Sequence, residues 1–158
     1  MQTRSEFYRS LPTKRMASAV LLFNEQHEIL VVQPTYKEDW ELPGGAIELG
    51  ESPKAALVRE AREELNLDLN PEELDFLLLD YMAGNGDITE ALMFVFSGGY
   101  VSEEQINRIQ LPADELKSYT FAEPKKAAQL LGAIVGDRLL RALKAKESAG
   151  ISYFEGRY

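Results

Sequence analysis

The chain has 158 residues, about one domain's length, with 45% hydrophobic and 27% charged residues, no cysteine and one histidine. Those counts exclude disulfide scaffolds, thiolate nucleophiles, cysteine zinc sites and any site built on paired histidines. The 26 acidic residues outnumber the 17 basic ones, a formal charge of −9, which argues against an extended nucleic-acid backbone as partner because that needs surplus cations.

Residues 1–14 are polar and aromatic without a clear period and are expected to form an N-terminal arm or a short edge strand. Lys14-Arg15 ahead of the apolar run Ala17 to Phe23 has the order of a secretion signal. The run stops at Asn24-Glu25 with no small-residue cleavage pattern, so it reads as a buried strand, and the protein as cytoplasmic with no membrane partner. Met16 to Phe23, a turn over Asn24 to His27, and Glu28 to Gln33 together read as a hairpin. A loop from Pro34 to Asp39 leads into Trp40-Glu41-Leu42-Pro43-Gly44-Gly45, whose Pro-Gly-Gly ending demands a backbone bend.

Ser52 as cap and Pro53 at the first helical position open a helix. Leu57, Ala61 and Leu65 give it one buried stripe, and Asn66 can close it in the left-handed conformation. Leu74 to Tyr81 and Ala91 to Phe96 read as strands around the turn Gly84-Asn85-Gly86-Asp87. Pro124 to Leu131 and Ile134 to Lys146 read as helices, with Gly132 and Gly136 expected to loosen their join. Ile151 to Phe154, within a tail at 147–158, has the residues for one more short strand. Strands on both sides of a central helix, with more helix at the end, place the chain in the α/β class: one domain over 1–158, with a mixed sheet covered on both faces.

The helix from Pro53 carries the chemistry. Glu60, Glu63 and Glu64 stand at i, i+3 and i+4 and share one face beside the buried stripe. Like charges so placed destabilise a helix by ~0.2–0.5 kcal/mol per pair, which a divalent cation offsets directly. Oxygen-only ligands suit magnesium, or manganese in its place. Taken alone, three glutamates are better explained by a solvated acidic face. Their surroundings change the reading. Gly45, Glu51, Arg59, Glu60, Glu63 and Glu64 keep the spacing G-x5-E-x7-R-E-x-x-E-E, a chance match on the order of 10⁻⁵ under independent residue usage.

Gly45 to Leu67 resembles the Nudix box, G-x5-E-x7-R-E-U-x-E-E-x-G-U with U a bulky aliphatic, and Trp40 to Gly45 resembles the lead-in common in that family. Asn66 replaces the last glycine of the box, the most tolerable change where positive φ is wanted, and Ala61 is small for its aliphatic position. The resemblance implies an α/β/α sandwich that hydrolyses a phosphoanhydride in a nucleoside diphosphate linked to another moiety, of the nucleoside triphosphate or nucleotide-sugar type. It implies that Glu60, Glu63 and Glu64 bind Mg2+ with help from the Gly44 or Gly45 carbonyl, while Arg59 and Glu51 pair to hold the loop against the helix. Glu60 and Glu115 are both candidates for the general base, Glu115 because it precedes the aromatic stretch ending at Phe121; Glu90 is a weaker rival. The family also implies a small nucleotide as substrate and allows a homodimer. A non-catalytic nucleotide-sensing domain on the same fold is the alternative.

Other residues carry plainer readings. His27 belongs to a surface turn, Trp40 anchors the glycine loop in the core, and Tyr36 and Lys37 lie in a solvated loop that can reach substrate. Arg4, Arg9, Lys14 and Arg15 form a small basic cluster near the terminus. Phe94 and Phe96 share a core-facing side, and the aromatic tail of Tyr153, Phe154 and Tyr158 is expected to pack on the domain or on a second subunit.

Overall fold

The computed structural model describes residues 2–158. Strand β1 (Arg15–Phe23) runs through the middle of a seven-stranded mixed sheet. Its Val-Leu-Leu-Phe ending is apolar on both faces, as a strand covered on two sides requires. Strand β2 (Ile29–Pro34) meets β1 antiparallel, and β6 (Leu116–Ala122) forms the edge beyond β2. On the other side β5 (Ala91–Tyr100) lies parallel to β1, followed by antiparallel β4 (Asp75–Ala83) and then β7 (Ser152–Arg157), parallel to β4.

Alternation along β1 and β2 divides the core in two. Leu21, Phe23, Ile29 and Val31 face α4 (Pro124–Leu130) and α5 (Gly132–Glu147), where Ala127, Leu131, Leu139 and Ala142 meet them. Val20, Leu22, Leu30 and Val32 face α2 (Pro53–Leu65), which contributes Leu57 and Leu65, together with Phe94 and Phe96 of β5. Two helical layers on one mixed sheet is the sandwich anticipated from the sequence. Among the described residues no helix is long and apolar enough to cross a membrane.

One edge of β1 is shared between two partners. Ala17 to Ala19 pair with the short β3 (Gly44–Ala46), whereas β2 is in register only at Phe23 opposite Ile29. The segment from Trp40 to Pro43 is wedged between, with the Val20 N–H donating to the Pro43 carbonyl at 2.9 Å and Val32 bridging Glu41. The expected hairpin is therefore splayed, and β2 finds its main ladder with β6. The splay opens a cleft at the start of β1.

Three local expectations are corrected. Residues 4–10, expected as an arm or edge strand, form α1 (Arg4–Ser10), because Thr3 and Glu6 make a reciprocal capping box; the helix buries none of its residues. Gly136 does not loosen a join. It lies inside α5 where a Cβ would stand 2.3 Å from the Ala128 carbonyl oxygen, so its bare backbone lets α4 and α5 pack closely. Strand β5 runs on past Phe96 to Tyr100, and the tail strand extends to Arg157.

Candidate active site

Helix α2 begins and ends as its residues dictate. The Ser52 hydroxyl accepts from the Ala55 N–H, Pro53 occupies the first turn, and Asn66 takes φ 56, ψ 35. In that conformation the Asn66 N–H donates to the Arg62 carbonyl and the Leu67 N–H to that of Ala61. The Leu57–Ala61–Leu65 stripe is buried, which fixes the rotation of the helix and so the height of each glutamate above the sheet. Glu64 is buried, Glu60 is half-buried and Glu63 is exposed.

Arg59 binds this acidic face together. Its guanidinium donates to Glu51 at 2.7 and 3.0 Å, to Glu60 at 2.8 Å, to Glu63 at 3.0 Å and to the Ala46 carbonyl at 3.0 Å. Those bonds, and the backbone N–H of Glu48, hold the Glu51 carboxyl down at about 2, and Arg59 is raised in turn. The same guanidinium relieves the repulsion among Glu60, Glu63 and their neighbours.

Glu64 is placed differently. It accepts one hydrogen bond, from the Gly44 N–H at 3.0 Å, and burial pushes its carboxyl up to about 8, against the pull of that bond and with the push of Glu60, Glu41 and Glu115. Burial likewise raises Glu60, against the opposing effect of Arg59. The two glycines facing these groups are there for closeness. A Cβ on Gly44, which has φ +139, would stand 2.1 Å from the Ser18 carbonyl oxygen, and one on Gly45 would stand 2.3 Å from Glu60 Oε1.

The donor chemistry fits a hard divalent cation: carboxylates in excess of local positive charge, two of them raised by burial, beside bare backbone. The cage itself is not ready-made. With Arg59 seated among the glutamates, no three acidic or histidine side chains of the described residues converge on one point. A cation at this face therefore has to take Glu60 and Glu63 from Arg59, which keeps Glu51 as its partner.

The cleft, about 300 Å³, runs past these groups. Ser18, Gly44, Gly45 and Glu64 line it, and Ala17, Ala19, Leu42, Met93 and Val135 supply apolar walls. Tyr36 and Glu41 stand at its side; Lys37 pairs with Glu41. Glu115 is exposed on the loop before β6. Its backbone carbonyl accepts from the Thr35 N–H at 2.8 Å, and its charge is felt by both Glu60 and Glu64. Glu90 is occupied elsewhere, by Lys14 and the Tyr81 hydroxyl. His27 sits in a turn with φ 62 and meets Tyr100, away from the cleft. Trp40 packs against the core on the α4/α5 side. The basic residues near the terminus do not act as one cluster: Arg4 covers Tyr8, Lys14 holds Glu90, and Arg15 holds Thr89 and Tyr158. In the tail, Phe154 joins the core beneath Arg141, while Tyr153 remains exposed.

The sequence reading missed one pair altogether. Arg138 of α5 and Asp80 of β4 are both buried and joined through Nε at 2.8 Å, and Arg138 lines the same cleft as Glu64. The available signal was Asp80 itself, the one charged residue in the apolar stretch Phe76 to Met82.

The class is α/β: a mixed sheet between helical layers, with an acidic helix set against a Gly-Gly strand at a cleft. The NUDIX domain model matches residues 13–143, so the chain belongs to the Nudix family and is a Nudix hydrolase. It is 26% identical over 136 residues to a MutT-like protein of Streptomyces ambofaciens, covering 85% of this chain and 80% of that one. An RNA pyrophosphohydrolase of Marinomonas sp. (strain MWYL1) is 34% identical over 55 residues, 35% of this chain and 34% of its own. Among solved structures, the MutT protein of Methanosarcina mazei Go1 superposes with a TM-score of 0.71 at 23% identity, over 87% of this chain and 99% of that one. A UDP-X diphosphatase also gives 0.71 at 18% identity, over 97% and 76%. At these identities the two structures show the fold.

Proposed function

We propose that the protein hydrolyses a phosphoanhydride bond in a nucleoside diphosphate linked to a second group, a nucleoside triphosphate or a nucleotide sugar, and that it uses magnesium, with manganese as a substitute. The observation that carries this reading is the acidic face of α2: Glu60 and Glu63 share one arginine, and Glu64 lines a cleft with Gly44 and Gly45. The name of one relative, an RNA pyrophosphohydrolase, belongs to the same chemistry.

Glu60, Glu63 and Glu64 would hold the cation, together with the Gly44 or Gly45 carbonyl. When bound, it supplies charge neutralisation for the phosphate oxygens and acidifies water. Arg59, anchored by Glu51 and the Ala46 carbonyl, keeps the β3 loop on the helix as Glu60 and Glu63 leave it. Glu115 takes the proton of the attacking water, because its exposed carboxylate has no hydrogen-bond partner among the described residues. Glu60 is the second reading for that proton: burial raises it toward the range of an effective base.

A screen of nucleoside triphosphates and nucleoside diphosphate derivatives, read by phosphate release with magnesium or with EDTA, tests the proposal. Turnover of at least one substrate class that EDTA abolishes is expected. No turnover of any member with magnesium, or turnover indifferent to EDTA, overturns it.

A further inference from the structure

Two apolar surfaces of this chain are left uncovered by the rest of it. The first is α1. Residues 2–16 are all exposed, and Phe7, Tyr8 and Leu11 stand together on one side of a helix of seven residues. An isolated helix shorter than ~12–15 residues is marginal in water, so α1 needs a surface to pack on. Leu11, ahead of Pro12, is extended at φ −71, ψ 148, which carries α1 off the start of β1 instead of turning it back onto its own sheet. The second surface is one side of the sheet. Ladder partners share a face, so Met16, Leu92 and Tyr81 form one row across β1, β5 and β4, and Phe94, Leu79 and Tyr153 form the next across β5, β4 and β7. None of the six is buried, whereas Leu78, Asp80 and Val95, which alternate to the side under α5, all are. The core beneath α2 ends on this side at Phe76, Phe94 and Phe96. A contiguous apolar patch of this kind marks an interaction surface.

Charge says what covers it. Residues 2–15 hold four basic side chains and one acidic one, in a chain whose formal charge is −9. Arg9, in the last turn of α1, forms no ion pair among the described residues, and neither does Glu155, which stands beside Tyr81 in the exposed row and accepts only from the Tyr153 hydroxyl. A basic helix with an apolar side complements an apolar sheet face with an unpaired carboxylate. One chain carries both, so two copies related by a twofold axis satisfy both surfaces at once. We propose that this side of the sheet is an interface between two copies of the chain, the α1 of each lying across β5, β4 and β7 of the other with Arg9 toward Glu155. Both α1 and β7 lie outside residues 13–143, so these surfaces belong to this chain and not to the domain that the family shares. The arrangement is independent of the hydrolysis proposed above.

The chain has no cysteine, so Ser5→Cys offers a single site for a spin label on α1. Spin-labelled chain mixed with isotope-enriched chain that carries no spin label reports only contacts between copies. NMR signals of Leu79, Tyr81 and Tyr153 in the enriched copy are expected to broaden, and the unaltered protein is expected to sediment at twice the mass of the chain. Phe7→Ser combined with Leu11→Ser, and separately Tyr153→Lys, are expected to raise the dissociation constant of the pair ~10-fold or more. All three positions are exposed, so cooperative melting is expected to persist. Sedimentation as a single copy, a dimer indifferent to the α1 variant, or broadening that appears only when spin label and isotope are on the same chain overturns the proposal. The last of these outcomes would place α1 on its own sheet, and the second would leave two sheets meeting without it. Should a variant lose cooperative melting, the mixed-label spectrum and the sedimentation of the unaltered protein decide.

Discussion

The molecule holds two charge clusters, one on α2 and one between α5 and β4, and they are built on opposite principles. At Arg59 one guanidinium serves three glutamates and a carbonyl, partly open to solvent, with a fourth carboxylate, Glu64, nearby and joined to a single N–H. At Arg138 one guanidinium faces one carboxylate inside the core, joining α5 to β4. The first is over-acidic and rearrangeable. The second is balanced and fixed. An over-acidic net has an interaction to gain from an added cation; a balanced buried pair has none.

The balanced pair should be the more fragile when halved. Asp80→Ala leaves Arg138 buried and unpaired, and a loss of ~3–5 kcal/mol in urea unfolding is expected, much reduced when Arg138→Met is added. An equal loss in the double variant would show that the cost is packing and not charge. In the over-acidic net the expected loss is in rate: Glu64→Gln should lower kcat by ~10²–10³-fold while leaving the melting transition cooperative. A collapse of stability instead would make Glu64 a structural residue. Glu115→Gln separates the two readings for the proton, since loss of the basic limb in the pH–rate profile supports Glu115 and an unchanged profile returns the role to Glu60.

Titration without metal should also distinguish the clusters. Burial lifts Glu64 from the usual 4.5 to about 8, so the folded state holds this proton more tightly than the unfolded one. That stabilisation is complete below the unfolded value and is lost as pH rises through about 8, with Glu60 shifted in the same direction. The metal-free protein should therefore melt at falling temperature from pH 5 to pH 9, and Glu64→Gln should flatten that slope. A smaller effect is expected at the end of α2. Asn66→Ala puts an ordinary side chain at φ 56 and should cost about 1 kcal/mol, whereas Asn66→Gly should be close to neutral.

How far these features could be read from sequence followed from how local they are. Helix α2 is local: Ser52, Pro53, the Leu57–Ala61–Leu65 stripe and Asn66 each act within a turn or two, and the structure shows all of them in place. The carboxylate face follows from the same periodicity. Helix α1 is legible in principle, since Thr3 and Glu6 carry the capping box, but an exposed helix has no apolar period to mark it. The splay of β2 from β1 was not legible, because it depends on β3 and the Trp40–Pro43 segment competing for one strand edge. Asp80 and Arg138 lie 58 residues apart, and only the layering of α5 on the sheet makes them a pair. The electrostatic influence of Glu115 on Glu60 and Glu64 is tertiary in the same way.

On the proposed function, the acidic face of α2 exchanges its hold on Arg59 for a divalent cation. Electron paramagnetic resonance of bound Mn2+, titrated into the unaltered protein and into Glu60→Gln, Glu63→Gln and Glu64→Gln, reads that exchange without any substrate. Weakened Mn2+ binding in each of the three variants, with Asp80→Asn unaffected, is the expected result. Binding of equal strength in all the glutamate variants would contradict it.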